Sequence, residues 1–352
     1  MANPTKALFV TSQNEFKVIE KHEVPRPGDG ELLIKTLFSG VNPADMKHTT
    51  VLGINNTVIG YDFCGQVLET SNRQSTYKPG DIVAGYTPSG VGRSCDFGTH
   101  QAYFKCPEAM LFKVPANLPQ PDAATLSCVA MTAADAIFNC FKLPLPTELG
   151  STKPNGPLLL WGATGAVGYC ALQFAITTGV LPIFVTAQSN HFEHLRSLGI
   201  TYLFDYKDPN VYESIAKALK ESGHNAFAYA LDAPGTPGSA DQVLRATSDE
   251  TQLVSTVMQE NKRFVMPTAL PSADFVIQPP GVPHPISIPA RPADGERARK
   301  GLLWAVENYG TSFRLPPIRV MEDTSEKILH EIHRVVEQGS GFSKLAVKHP
   351  LN

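Results

Sequence analysis

The sequence predicts an α/β protein of two domains, one small and β-barrel-like, the other a doubly wound parallel sheet. Three observations carry this. Residues up to about 115 read as short strands broken by turns. Residues 158–168, LLLWGATGAVG, run an apolar strand into a glycine-studded turn and on into ALQFAITTG, a helix. Strands and helices then alternate to about residue 265, the pattern of a parallel sheet covered by helices on both faces.

In the first part KALFVT, FKVIEKHEV, ELLIKTLFSGV, FCGQVLET, DIVAGYT, THQAYFKC and MLFKVP are the strands, with PRPGDGE and YKPGD as turns between them. From Leu118 the texture changes to DAATLSCVAMTAADAIFNCF, a mostly apolar helix, and then to KLPLPTELGSTKPNG, a proline- and glycine-rich connector. LPIFVTA (181–187) is the second strand of the parallel sheet and HFEHLRSLG (191–199) a helix closed by Gly199, which completes a βαβ unit. The segment 266–292 holds eight prolines, so it is neither a regular helix nor a central strand. A cofactor-side flap, a partner surface and a plain connector all fit it. RARKGLLWAVENY, PIRVM, SEKILHEIHRVVEQG and KLAVKH follow as helix, strand, helix and strand.

The glycine turn has a specific chemistry. A strand that turns sharply into a helix presents that helix's free N–H groups and positive dipole end to a pyrophosphate, and Gly165 and Gly168 are where side chains would obstruct. The strict dinucleotide fingerprint puts a glycine at position 163, where this chain has alanine, and the same residues also serve as a tight turn in any α/β protein. An NAD site wants Asp or Glu at the end of the second strand to accept the ribose hydroxyls. Here Gln188, Ser189, Asn190 and His191 offer amide, hydroxyl and imidazole donors instead, which suits the 2′-phosphate of NADP(H); an ordinary polar loop is the other reading.

Bulk properties narrow the classes. With 352 residues, 42% hydrophobic and 18% charged, the chain has ordinary globular composition and room for two cores. A net charge of −3 with scattered basic residues provides no field for nucleic acid or an anionic membrane. The N-terminus lacks the order of a secretory leader, and no uninterrupted apolar run reaches membrane-spanning length, so a soluble, cytoplasmic chain is expected. Cys64, Cys95, Cys106, Cys128, Cys140 and Cys170 form no CxxC pair and are expected to be reduced. The ten histidines include no HExxH, and no metal is expected.

GVNPADMK (40–47), GYDFCGQV (60–67), GDIVAG (80–85) and GTHQAYF (98–104), then the glycine turn, then a terminal SKLAV, stand in an order that resembles the medium-chain dehydrogenase/reductase superfamily over essentially the whole chain. The resemblance implies a GroES-like catalytic or substrate domain, residues 1–125 with 305–352, and a Rossmann NADP-binding domain, residues 126–304. In the alcohol-dehydrogenase branch a zinc-binding cysteine stands where this chain has Asn42, and a His–Glu pair where it has Tyr61 and Asp62. Without thiolate and imidazole the usual zinc shell is missing, which leaves the zinc-independent quinone-reductase and enoyl-reductase branches. NPADMK, TLSCVAMTAADAIF followed by KLPLP, FEHLRSLG, LFDYKDPNVYESI and AYALDAPGTPGSA are similar to the fungal trans-acting enoyl reductases that serve polyketide synthases, alone or fused to peptide synthetases. The chain departs from that group at 186–191, TAQSNH in place of a cysteine-serine-proline run, and at the terminal GSGFSKLAV.

By that resemblance the chain is an NADPH-dependent enoyl reductase acting on a carrier-bound thioester of a partner polyketide synthase. Lys47 and Thr132 are its expected catalytic residues. Ala44, Asp45, Met46 and Lys47 would lie beside the nicotinamide ribose, Thr164, Gly165, Ala166 and Val167 at the pyrophosphate, and Gln188, Ser189, Asn190 and His191 at the 2′-phosphate, with Tyr206 on the adenosine side. Val254, Ser255, Lys344 and Leu345 would complete the nicotinamide pocket. The substrate cleft is expected between the domains, lined by Ala133, Ala134, Asp135, Ala136, Ile137, Phe138, Asn139 and Cys140 and by Val265, Met266, Pro267, Thr268 and Ala269. Asp135 is unusual in so apolar a helix. Prolines in 266–292 disfavour pairing at a sheet edge, so a monomer is expected. Two alternatives remain: a stand-alone quinone or enone reductase, and a non-catalytic NADPH-binding partner protein.

Overall fold

The computed structural model describes residues 4–148, 154, 156–269 and 274–352. Along the chain the first strands are β1 (Thr5–Val10), β2 (Phe16–Lys21) and β3 (Glu31–Gly40). Helix α1 (Ala44–Leu52) follows, then β4 (Thr57–Val58), β5 (Asp62–Thr70), β6 (Ile82–Tyr86), β7 (Tyr103–Pro107) and β8 (Leu111–Lys113). Helix α2 (Gln120–Ala134) runs directly into a π-helical turn, Asp135–Cys140. The alternating part comprises β9 (Leu158–Trp161), α3 (Ala166–Thr178), β10 (Ile183–Ala187), α4 (Phe192–Ser197), β11 (Tyr202–Asp205), α5 (Val211–Glu221), β12 (Tyr229–Asp232), α6 (Ser239–Ala246), β13 (Gln252–Ser255) and β14 (Phe264–Val265). A hairpin of β15 (Phe275–Ile277) and β16 (Ile286–Ile288), helix α7 (Pro292–Glu307), β17 (Ile318–Met321), α8 (Ser325–Gln338) and β18 (Lys344–Lys348) complete the described elements.

The chain divides into two compact units. Unit 1 is Met1–Cys128, Ser272–Arg291 and Pro317–Asn352; unit 2 is Val129–Pro271 and Pro292–Pro316. These limits differ from the expected 125/126 and 304/305. The stretch 305–316 goes with unit 2 because Phe313 packs on Phe174, ring centroids 5.1 Å apart, and Arg314 N–H donates to the Gln173 side chain. The proline-rich stretch reaches unit 1 through its hairpin, where Val91 N–H donates to Val276 and Gln278 N–H to Leu52.

In unit 1 a sheet of order β17-β18-β3-β5-β6-β8, with β7 also paired to β3, stands beside a three-stranded sheet β2-β1-β4. Its apolar core gathers Leu8, Val10, Val41, Met46 and Ile59 against Ile328, Ile332 and Val335 of α8 and Leu345 and Val347 of β18. Helix α1 was not among the elements expected from sequence. It is short, starts after Pro43 and is stopped by Gly53 at φ +73, where an added Cβ would meet the Gln278 carbonyl at 2.4 Å.

Unit 2 is the predicted parallel sheet, order β11-β10-β9-β12-β13-β14, every pair parallel. Strand β9, LLLW, is buried on both faces, as a central parallel strand must be. Its two neighbours are β10 and β12, so the strand order reverses at the carboxyl end of β9. Helix Gln120–Cys140 is long and apolar enough to cross a membrane, but 78% of that window is buried inside the protein, which makes it a core helix.

Candidate functional site

In unit 2 the site begins where β9 ends. Gly162 takes φ +81 and its N–H donates to Thr186 on β10, which fixes the turn to the neighbouring strand. An added Cβ on Gly168 would meet Gly162 O at 2.4 Å and the Ala233 methyl at 3.0 Å, so close helix-to-turn packing requires glycine there. At Gly165 the nearest atom is 3.7 Å away; that glycine is exposed and leaves the mouth of the turn open. Helix α3 starts at Ala166 with no side-chain cap and no acidic residue in its first turn. Thr164, Gly165, Ala166 and Val167 thus surround a helix N-terminus at the reversal point of the sheet, an arrangement that fits a pyrophosphate. Sequence reasoning missed Gly162, whose signal is its place as the first residue after the strand.

At the end of β10, Gln188, Ser189 and Asn190 are exposed and His191 is half-buried. The structure brings them to Tyr206: Gln188 Nε2 donates to the Tyr206 hydroxyl at 3.0 Å. Two neighbours were not foreseen. Asp205 accepts from Ser189 N–H at 3.1 Å and from Lys207 N–H at 3.0 Å, bonds that hold its carboxyl below the usual range. The Lys207 ammonium lies 5.9 Å from the Tyr206 ring centre. A carboxylate therefore does stand at this loop, supplied by β11 and not β10, and a cation stands with it.

At the carboxyl ends of β12 and β13, Val254 and Ser255 are buried and the Ser255 hydroxyl donates to Asp232 at 2.8 Å. Burial pushes the Asp232 carboxyl up, opposed by bonds from Ser239, Ser255 and Gly235. Thr132 is half-buried on α2. Ala133, Ala134, Ala136, Ile137 and Phe138, expected to line a substrate cleft, are instead core: Phe138 packs on Phe174, centroids 5.1 Å apart, and lies against Gly301 of α7. Asp135 acquires a role. Its fully buried carboxylate accepts from Asn139 Nδ2 at 2.7 Å and from Thr268 N–H at 2.8 Å, tying the π-helical turn to the stretch 265–269. The two expected substrate segments therefore do meet. Asn139 and Cys140 are half-buried, Val265 and Met266 exposed, Pro267 buried, and Thr268 and Ala269 half-buried.

In unit 1 the turn 42–47 is built around two carboxylates. Asp45 accepts from Asn42 N–H at 2.8 Å and fixes the start of α1, while its Oδ2 also lies 3.4 Å from His100 Nε2. His100 Nδ1 is 2.7 Å from Ser39 Oγ, which is 2.8 Å from His349 Nε2, all of it buried. Asp62 accepts from Asn42 Nδ2 at 2.9 Å and Cys128 N–H at 2.8 Å, and Lys344 Nζ donates to Asn42 Oδ1 at 2.6 Å and Val41 O at 3.1 Å. Burial pushes the Asp62 carboxyl up while the Lys344 charge opposes it. Lys344 is thus committed to Asn42 and Val41, and Met46 and Leu345 to the apolar core. Of the residues expected here at the cofactor, half-buried Ala44 and exposed Lys47 keep side chains with access to solvent.

Beside this turn, the Tyr61 hydroxyl lies 3.0 Å from His48 Nδ1 and accepts from Ser89 at 3.4 Å, with the Arg93 guanidinium 4.5 Å from its ring centre. Arg93 itself donates to three backbone carbonyls and Thr87. At the positions compared with a zinc shell, then, the chain places an amide, a phenol and a carboxylate already accepting two N–H groups.

Two family models match in succession: the alcohol dehydrogenase GroES-like domain over residues 28–116 and the zinc-binding dehydrogenase domain over residues 166–276. The chain is 30% identical over 211 residues to the trans-enoyl reductase himH of Aspergillus japonicus, a stretch covering 59% of this chain and 59% of that relative, under two thirds of its length. It is 29% identical over 345 residues, 94% of each, to the trans-enoyl reductase eqxC of Fusarium heterosporum. Among solved structures an alcohol dehydrogenase superfamily protein from Novosphingobium aromaticivorans shares the fold, with a TM-score of 0.71 over 99% of this chain and all of that one, at 20% identity.

Proposed function

The chain belongs to the medium-chain dehydrogenase/reductase superfamily, and from that premise we propose that it is an NADPH-dependent enoyl reductase acting in trans, in the cytoplasm, on the carrier-bound α,β-unsaturated thioester of a polyketide synthase. The observation that carries the nucleotide part is the Gly162–Val167 turn, an uncapped helix start at the sheet's reversal point. Likeness to a trans-enoyl reductase over 94% of the chain supports the substrate class.

The cofactor, when bound, supplies a hydride to the β-carbon of the thioester. The chain does the rest. Thr164 to Val167 and the first turn of α3 hold the pyrophosphate. Gln188 to His191, with Tyr206 and Lys207, bind the 2′-phosphate; Asp205, kept ionised by two backbone N–H groups, has the Lys207 charge beside it as a counter-charge. Lys47 donates to the ribose or carboxamide, and Thr132 offers its hydroxyl to the thioester oxygen as charge gathers there. The Asp45 and Asp62 networks fix the start of α1, and with it Lys47. The short edge strand β14, followed within two residues by Pro267, suits a monomer.

The test mixes purified protein with NADPH or NADH and either a β-substituted enoyl thioester of pantetheine or a simple quinone, following nicotinamide absorbance. NADPH-dependent reduction of the thioester with little on the quinone is the expected result; the reverse preference moves the chain to the quinone reductases.

A further inference from the structure

Four buried polar side chains of unit 1 stand in a row, Asp45, His100, Ser39 and His349, with a hydroxyl between two imidazoles. We propose that they form a one-proton switch, in which a proton taken up at His349 passes through the Ser39 hydroxyl and rests on His100 against Asp45. All four lie in unit 1, and the switch operates in the same way whatever the chain reduces.

When both rings are neutral, one order of hydrogens satisfies every contact. Asp45 Oδ2 faces His100 Nε2 at 3.4 Å, and a bare ring nitrogen there would meet a carboxylate, so Nε2 carries the hydrogen. His100 Nδ1 is then the acceptor and takes the Ser39 hydroxyl hydrogen at 2.7 Å, while His349 Nε2–H donates to Ser39 at 2.8 Å. That order leaves His349 Nδ1 as a buried lone pair, and this atom has no hydrogen-bond partner among the described residues. At the other end of the row Asp45 Oδ1 also lacks one.

An added proton fits without breaking the row. It binds His349 Nδ1; the His349 Nε2–H bond breaks as Ser39 takes that proton, and the Ser39 O–H bond breaks as His100 Nδ1 takes the next. His100 becomes an imidazolium beside the Asp45 carboxylate, His349 stays neutral with its hydrogen moved from Nε2 to Nδ1, and Ser39 now donates to His349. The proton comes from water, and every hydrogen bond of the row is kept with the two at Ser39 reversed. Ser39 and His100 are fully buried while His349 keeps 7% of its surface, which makes His349 the end that exchanges with water. A second proton is opposed, because burial lowers His349 to about 3 and the His100 charge adds to that effect.

The other ionisable groups packed around Asp45 are His48 of α1, Tyr61, Asp62, Arg93, Cys128 and Lys344. Asp62 is held by Asn42 and Cys128 and faces the Lys344 charge, and Arg93 donates to three backbone carbonyls and Thr87. Asp45 is therefore the carboxylate that meets a charge on His100. Its Oδ2 also accepts from Asn42 N–H at 2.8 Å, the bond that fixes the start of α1, so the switch is felt at the first turn of that helix.

Ring tautomers of the full chain, labelled with 15N-histidine and followed by two-bond 15N–1H NMR correlation from about pH 9 to about pH 5, test the switch while ellipticity reports that the chain stays folded. At the alkaline end both rings are expected to carry hydrogen on Nε2. On acidification His100 becomes doubly protonated and the His349 hydrogen moves to Nδ1 at one shared midpoint, which the Asn42 amide shift follows. In Ser39→Ala the shared midpoint is lost and His349 keeps its Nε2–H. A row that holds one set of tautomers over the whole folded range overturns the switch, as a merely structural row would. So does a His349 tautomer that stays fixed while His100 charges, or a Ser39→Ala protein that retains the shared midpoint. If Ser39→Ala does not fold, the wild-type tautomers decide alone: joint change supports the switch and separate or absent change overturns it.

Discussion

Asn42 Nδ2 lies 2.9 Å from Asp62 Oδ2, and the other end of the same amide accepts from Lys344 at 2.6 Å. One neutral side chain therefore joins a buried anion to a buried cation that is 302 residues away from it in sequence. Asp62 and Lys344 thus share Asn42, and the Lys344 charge opposes the effect of burial on the Asp62 carboxyl.

Lys344→Met removes the cation and leaves Asp62 uncompensated in the interior. The expected loss is about 3 kcal/mol, the scale for breaking a buried pair by removing one partner. Urea unfolding of the two proteins measures it. A loss below about 1 kcal/mol, the range of exposed pairs, would show that Asp62 does not depend on Lys344.

The buried histidines make stability depend on pH. Burial lowers His349 to about 3 and His48 to about 4, against 6.5 for a free imidazole. As pH falls below 6.5 the unfolded chain takes up protons that the folded chain refuses, so stability present above 6.5 is lost toward pH 4 and below. Each such group contributes a slope of about 1.4 kcal/mol per pH unit. Urea midpoints for His349→Asn should fall less steeply than wild type between about pH 6 and pH 4, by that amount. Parallel curves would refute the assignment to His349.

The two glycines of the turn should separate. Gly168→Ala brings a methyl to 2.4 Å from Gly162 O, and a loss of about 2 kcal/mol with weakened NADPH binding is expected. Gly165→Ala meets nothing closer than 3.7 Å at an ordinary extended φ of −67° and should unfold at the wild-type midpoint. Thermal melting with and without NADPH distinguishes them, and equal losses would contradict the packing argument.

Asp135→Leu matches the apolar helix around it but takes an acceptor from Thr268 N–H and from the Asn139 amide. The expected cost is about 2 kcal/mol, with faster amide hydrogen exchange at Thr268. Exchange at the wild-type rate would mean that the carboxylate does not hold the 265–269 stretch.

What the sequence makes legible here is what local pattern encodes. The alternation after residue 158 is enough to predict the parallel sheet, and the polar quartet at 188–191 does meet Tyr206, because both follow adjacent parallel strands. Helix α1 escaped notice because nine residues between Pro43 and Gly53 carry little apolar periodicity. Asp205 and Lys207 were missed because the rule looks one strand earlier. The core position of Phe138 follows from contacts with α3 and α7, which no local window contains. The role of Asp135 likewise depends on a residue 133 positions away.

Unit 1 is assembled from three separate stretches of chain, and β18, among the last of its elements to be made, pairs with both β17 and β3. Strand β3 therefore leaves the ribosome soon before its partners β5 and β7 but long before its partner β18 exists. Until translation passes Lys344, Asp62 lacks its counter-charge and Ser39 lacks His349, so the nascent first domain must wait, incompletely bonded, while the parallel sheet of unit 2 can already close. Synthesis of β18 and the residues just after it is then the event that completes the bonding of β3, Asp62 and Ser39.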